Sequence, residues 1–415
     1  MQMKRLVGAL AGACLLAGGV ACAEGTIKIA YIEGLSGPFA NVGELGLRHL
    51  QIATEAVNAR GGVLGGQKFE VVPFDHKTSP QEAQLQFKSA ADQGIRYIMQ
   101  GNGSSVALAL TDAVSKHNLR NPEKSVIFLN YAAVDPALTN DKCSFWHFRF
   151  DADVDMKVQG ITNYMATQKT LKKVYLLNQD YSFGQAVSKA ARAMLAQKRP
   201  DIVVVGDDLH PLGKVKDFAP YVAKIKAAGA EAVITGNWGN DMTLLVKAGK
   251  EAGLNVDYYT FYAGGLGTVT ALGDAGVGRV KQVTVWHSNI GGKGAGEHTL
   301  AYRTRFPDVR DDIYYSSIRN AVEMLARAMD KAKTTEPDKV GLAMEGMKID
   351  DDSGEVSMRA DNHQLVQAIF VSTLVKANDK DVKFDVEKTG LGFRTDARIE
   401  AKETVMPTTC KMQRP

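Results

Sequence analysis

The chain has 415 residues, 45% of them hydrophobic, with 50 basic and 46 acidic side chains and a formal net charge of +4. Nothing in that near-balance points to nucleic acid or an anionic membrane as a partner. The length exceeds one comfortable core, so two domains are expected. Residues 1–23 read as an export leader. Lys4 and Arg5 precede an apolar stretch over 6–20, and Ala21-Cys22-Ala23 fits a small-x-small cleavage pattern that places the cut before Glu24. The apolar run is rich in Gly and Ala and shorter than the ~20 residues of a membrane span. A lipid-carrying Cys14 or Cys22 is the alternative, although neither has Leu three residues upstream. The chain is expected to be exported. Without the leader, 48 basic and 46 acidic side chains remain.

Strand-like runs are read at 27–33, 69–75, 97–100, 126–130, 173–178, 202–207, 232–235, 258–262 and 282–287. Helical patterns fall between them at 44–59, 80–93, 106–117, 155–167, 183–197, 218–228, 242–252 and 317–332. This alternation predicts an α/β fold with parallel sheets covered by helices on both faces. The loop 34–43, rich in Gly, Ser and Pro and carrying Asn41, leaves the carboxyl end of the first strand, where open α/β sheets bind ligands. From 344 the character changes. An acidic turn at 350–354, a strand-like 355–359 and a β run at 365–375 predict a hairpin that crosses between domains. Nothing beyond 376 is assigned.

Two segments match at a constant offset of 135 residues, 98–119 and 233–254. Gly101 and Asn102 fall on Gly236 and Asn237, Leu110 on Leu245, Ala113 on Ala248 and Leu119 on Leu254. Each copy reads strand, Gly-Asn loop, amphipathic helix. Any two βα units share some of this, but the match also describes two similar lobes offering the same kind of loop to one cleft.

The first copy, Gly101-Asn102-Gly103-Ser104-Ser105-Val106, is a poor dinucleotide fingerprint. Val106 replaces the third Gly, and the following strand ends in Asn130 and Tyr131 with no ribose-binding acid. Its free helix-start N–H groups with the Ser104 and Ser105 hydroxyls make an anion site, unless those serines only cap the helix. Ala132 and Ala133 permit close backbone approach beside Tyr131. Asn178–Gly184 and Gly236–Asn240 place Tyr181, Phe183 and Trp238 on loops after strands, where they suit a cleft that closes on an apolar ligand. No nucleophile elbow, zinc motif, phosphate loop or paired His at ligand spacing is found, so neither catalysis nor a cofactor is expected. Arg149 reads as a structural ion pair with Asp151 or Asp153. Two cysteines outside the leader, Cys143 and Cys410, usually pair in an oxidising compartment, which would staple the C-terminal tail; two separate buried thiols are the alternative.

Taken together, loop 34–43 and segments 58–66, 131–139, 181–184 and 236–238 resemble the periplasmic solute-binding proteins of the branched-chain amino acid class of ABC importers, over about residues 27–375. The resemblance implies a type I periplasmic binding fold of two Rossmann-like lobes joined by a three-stranded hinge. Lobe 1 would comprise 24–148 with 282–350, lobe 2 149–281 with 351–400, and a tail 401–415 would follow. It also implies a monomer that meets a membrane permease. The ligand set it implies is Asn102, Ser104, Ser105, the Ala132 backbone, Ala133 and Val134 for a carboxylate in lobe 1, and Phe183 and Trp238 in lobe 2, with Asn41, Tyr131 and Gly264 beside them. Val134 stands where the family often has a hydroxyl, and no acid lies near Ala263-Gly264-Gly265 to pair with a ligand ammonium. A buried ammonium without a carboxylate is costly. The expected ligand is therefore an aromatic or similar apolar acid, with branched-chain amino acids and short amides or urea as alternatives. A sensor that feeds a signalling receptor is the competing role.

Overall fold

The computed structural model describes residues 25–292, 294–308, 312–378 and 380–415; the expected leader, with Cys14 and Cys22, lies outside them. The first sheet contains β1 (Thr26–Glu33), β2 (Lys68–Asp75), β3 (Tyr97–Gln100), β4 (Ile127–Asn130) and β5 (His147–Arg149), all parallel, in the order β2-β1-β3-β4-β5. Its crossovers are α1 (Ala40–Ala59), α2 (Pro80–Asp92) and α3 (Ser104–Arg120). Ser79 opens α2 in the expected way: its side chain accepts from the Glu82 N–H, and Pro80 occupies the first helical position.

The second sheet contains β6 (Lys173–Gln179), β7 (Val203–His210), β8 (Ala232–Thr235), β9 (Asp257–Thr260), β10 (Val280–Thr284), β14 (Ile369–Lys376) and β15 (Leu391–Ile399). Its order is β15-β14-β10-β9-β8-β6-β7, parallel from β7 to β10 and antiparallel at β14 and β15. Around it lie α4 (Val154–Thr167), α5 (Ser182–Lys198), α6 (Ala219–Ala227), α7 (Gly239–Glu251) and α8 (Thr268–Leu272). The chain then returns to the first lobe through α9 (Gly294–Arg305), α10 (Ser316–Ala332) and α11 (Pro337–Met344). In α10, Ile318, Val322, Leu325 and Met329 recur at helical spacing and sit in the core cluster of the first sheet. Burying each is worth about 1.5–3 kcal/mol.

A small third sheet, β11 (Lys348–Asp351), β12 (Gly354–Met358) and β13 (Leu365–Val366), corrects two expectations. The expected hairpin of 355–359 with 365–375 crosses only within its second run, which splits into β13 in the third sheet and β14 in the second, while β11 and β12 stay with Ile349, Val356 and Met358 in the first lobe's core. The crossing is made by the short step from Val366 to Ile369. The expected boundaries at 281/282 and 350/351 accordingly move to after Thr284, since β10 belongs wholly to the second sheet, and to after Val366.

Three crossings therefore join the lobes: after Arg149, after Thr284 and after Val366. Arg149 ties two of them together. It is fully buried, donates to the Gln364 Oε1 at 2.6 Å and the Asp135 carbonyl at 2.6 Å, and pairs with Asp153 at 3.1 Å and with Thr139. Cys143 and Cys410 are disulfide-bonded across 267 residues. The tail before that bond runs back from the second lobe to the first. Glu403 accepts from Gln159 of α4, Met406 accepts from Arg359, and Thr408 donates to the Thr139 carbonyl at 2.8 Å.

Candidate functional site

Each sheet has a switch point where successive crossovers leave in opposite directions, between β1 and β3 in the first and between β6 and β8 in the second. Ligands of open α/β sheets bind outside the carboxyl ends of the strands at such points. The loops that leave these strands face one another across a cavity with about 530 Å³ of space between atoms, part of it open to solvent.

On the first lobe's side the walls are Val42 and Leu45 of α1, the run Gly101–Ser104, Ala132, Val134, and Tyr314 and Tyr315 ahead of α10. The buried Glu33 organises this side. Its carboxylate accepts from the Gly101 N–H at 2.6 Å, the Asn102 N–H at 2.8 Å and the Tyr131 hydroxyl at 2.8 Å. Asn102 in turn donates to the Tyr131 hydroxyl at 2.9 Å and accepts from the Tyr315 hydroxyl at 2.9 Å. These contacts lock the loop and leave the start of α3 turned to the cavity. The N–H groups of Ser104 and Ser105 have no acceptor inside the helix, while those of Val106 and Ala107 donate to the Gly103 carbonyl at 3.0 and 3.1 Å. The Ser104 hydroxyl accepts from the Asp135 N–H at 3.2 Å, so its proton stays available. Gly101 is needed for contact: a Cβ there would lie 2.7 Å from the Tyr131 ring and 2.8 Å from the Ala132 nitrogen.

On the second lobe's side the walls are Tyr181, Phe183, Trp238, Gly239, Tyr262, Gly265 and Leu266. The Trp238 indole N–H donates to the Tyr181 hydroxyl at 2.8 Å, which fixes both rings. Phe39, from the first lobe, covers the mouth with its ring centroid 4.2 Å from that of Trp238. Close by, the Asn240 amide donates to the Pro38 carbonyl at 2.8 Å. Gly239 has φ +58, and a Cβ there would meet the Phe39 ring at 2.7 Å, so glycine permits this closure. Burial pushes the phenols of Tyr181, Tyr262, Tyr314 and Tyr315 upward, so all four remain protonated donors. The hydroxyls of Tyr262 and Tyr314 have no hydrogen-bond partner among the described residues. No charged side chain lines the cavity among the described residues.

Of the expected contacts, Asn102, Ser104, Ala132, Val134, Phe183 and Trp238 line this cavity, and five do not. Asn41 is exposed on the first turn of α1, and its neighbour Val42 faces inward instead. Ser105 lies one position round α3 from the lining residue Ser104. Tyr131 is fully buried beneath the loop, stacked near Tyr31 and bonded to Glu33. Ala133 is buried behind Ala132, its N–H held by the Asn130 Oδ1 at 2.8 Å. Gly264 lines a neighbouring cavity and Gly265 takes its place here. The Ala132 N–H, expected to hold a carboxylate, already points to the Asn130 Oδ1 at 3.2 Å. Val42, Leu45, Tyr262, Leu266, Tyr314 and Tyr315 were not foreseen. The adjacent tyrosines before the Ser-Ser start of a helix were the one legible sign of the last pair.

Comparison with known proteins gives the family. A family model described as periplasmic binding protein matches residues 26–380. The "Leu/Ile/Val-binding protein homolog 4" of Brucella abortus strain 2308 is 32% identical, with 98% of each chain covered. Among solved structures, the leucine-, isoleucine-, valine-, threonine- and alanine-binding protein of Brucella ovis, in its closed conformation, superposes with a TM-score of 0.83. It is 30% identical over 94% of this chain and 100% of that one. A solute-binding protein of an ABC transporter from Rhodopseudomonas palustris HaA2, in complex with p-hydroxybenzoic acid, superposes with a TM-score of 0.75 at 21% identity, covering 91% and 97%; at that identity it speaks for the fold alone. With two sheets turning their switch points to one shared cavity, the chain belongs to the periplasmic binding protein family, a family of extracytoplasmic solute-binding proteins of ABC transporters rather than enzymes.

Proposed function

We propose that this protein captures a small carboxylate with an aromatic or similarly apolar body and presents it, lobes closed, to the permease of an ABC importer. The observation that carries this reading is the cavity wall. Six aromatic side chains and the start of α3 enclose it, and among the described residues no acid lines it to pair with an ammonium. A carboxylate gains from helix-start N–H groups and the Ser104 hydroxyl. An aromatic body gains from Phe183, Trp238 and the tyrosines. Closure results because such a ligand touches both lobes, and a ligand shifts a conformational equilibrium by its differential affinity for the two states. The protein would act as a periplasmic monomer without a cofactor. Benzoates recur among structures of the same fold, which agrees with this reading.

A second reading, a branched-chain amino acid, rests on the names of the Brucella relatives. Thermal-shift and calorimetric titration with benzoate, 4-hydroxybenzoate, phenylpropanoids, leucine, isoleucine, acetamide and urea separates the two. Ligands stabilise by mass action, and the aromatic acids are expected to raise the melting temperature most. If only leucine-like amino acids do so, the aromatic-acid reading fails. Loss of uptake on gene deletion would support transport over sensing.

A further inference from the structure

Behind Tyr262, Tyr314 and Tyr315 lies a second chamber, with about 360 Å³ of space between atoms, part of it open to solvent, that shares those three rings with the main cavity. It sits where the first and second crossings meet, walled by Asp151 and Lys157 on one and by Thr284 and Trp286 on the other. Ser316 and Ser317, which begin α10, complete it. Lys157 has a side chain only 2% exposed. Its ammonium donates to the Asp151 Oδ2 at 2.7 Å and stands 5.2 Å from the centre of the Tyr262 ring. An ammonium carries three N–H donors, and no other acceptor for Lys157 exists among the described residues. The Asp151 Oδ1 is occupied by the Ala152 N–H at 2.8 Å. The Thr284 hydroxyl is buried in the wall with no partner among the described residues. Buried polar groups are normally satisfied. Here a lysine, a threonine, two serine hydroxyls and the start of a 17-residue helix converge on one small space.

We infer that this hinge chamber is the distal half of the ligand site and takes a neutral oxygen-bearing group, a hydroxyl or carbonyl, at the end of the ligand remote from its carboxylate. The surplus of donors selects an oxygen acceptor. The Asp151 charge already balances that of Lys157, so a neutral oxygen completes the set without burying a further charge. The inference rests on the proposed function, since it extends the same ligand past the tyrosine wall. The ligand is then an elongated hydroxy or oxo acid rather than a bare apolar one.

The test is calorimetric titration of the full mature chain with matched pairs: benzoate and 4-hydroxybenzoate, 3-phenylpropanoate and 3-(4-hydroxyphenyl)propanoate. The hydroxylated member of at least one pair is expected to bind tenfold or more tighter. In Thr284→Val, and in the charge-free Asp151→Asn/Lys157→Met variant, the ratio of the two affinities within each pair should shrink to about twofold or less. Thr284→Val preserves volume and the ion pair, so it reads the chamber even if the double variant does not fold. Equal affinity within both pairs, or an advantage that survives Thr284→Val, overturns the inference and leaves the function standing. Failure of all four acids to bind overturns the function and this inference with it.

Discussion

The loops 101–105 and 236–240 begin alike and end differently. Each leaves a strand with Gly-Asn, and in each a neighbouring strand's side chain holds the leading N–H: Glu33 for Gly101 at 2.6 Å, Asn178 for Gly236 at 2.7 Å. Each leading glycine lies under a ring. A Cβ at Gly101 would strike Tyr131, and one at Gly236 would strike Phe183 at 2.8 Å. Past the Gly-Asn pair the two loops part. Gly103-Ser104 presents helix-start donors, whereas Trp238-Gly239 presents an indole and a close approach to Phe39. Tyr131 is spent inside the first lobe on a polar network, while Phe183 faces the ligand space. One βα skeleton thus supplies a polar jaw and an aromatic jaw, and the division is set by two or three residues after the shared Gly-Asn.

That division can be broken most severely at Trp238. Trp238→Ala removes the ring packed on Phe39 and the donor to Tyr181. It should weaken ligand binding by about 2–4 kcal/mol, roughly 30- to 1,000-fold, with the far-ultraviolet circular dichroism spectrum unchanged. The glycines sharpen the contrast. Gly101→Ala meets a backbone nitrogen as well as a ring, so denaturant titration should show a loss of about 1–3 kcal/mol. Gly236→Ala meets the far end of Phe183 and Val187 side chains that can shift, so it should disturb affinity more than stability.

On the polar jaw, Ser104→Ala should cost only about 1 kcal/mol in affinity by titration, because the helix-start N–H groups remain. The smallest effect concerns pH. The phenols in the wall are pushed upward and stay protonated, and no carboxylate or amine lines the cavity among the described residues. Affinity for an aromatic acid should therefore be flat between about pH 6 and 9. Affinity for an α-amino acid should instead rise toward the upper end, because its ammonium finds no carboxylate in the wall and binding favours the form that has lost the proton.

Much of the architecture was legible because short apolar runs such as those of β3, β4 and β8 alternate with helical patterns. The misses have physical causes. β5 has three residues, too few for any alternation to show. The β run 365–375 reads as one strand, and only packing shows that it breaks between Val366 and Ile369 to pass from one lobe to the other. β15 carried a signal that went unread: Arg394, Asp396 and Arg398 alternate with Phe393, Thr395 and Ala397. In the site, Phe183 and Trp238 were legible because rings on loops after parallel strands have no sheet core to join. Tyr131 misled for the same reason. It stands after a strand too, but Glu33, 98 residues earlier, draws its hydroxyl inward. Tyr314 and Tyr315 come from beyond the second crossing, where no strand precedes them to mark the cleft.

The Cys143–Cys410 bond turns the chain into a covalent ring that threads both lobes. Its last arc, from Glu400 beside the second sheet to Thr408 on the first, is a leash of eight steps that can reach no more than about 28 Å fully drawn out. The bond lies outside the cavity wall, yet with it the tail becomes a fourth covalent link between the lobes, beside the three crossings.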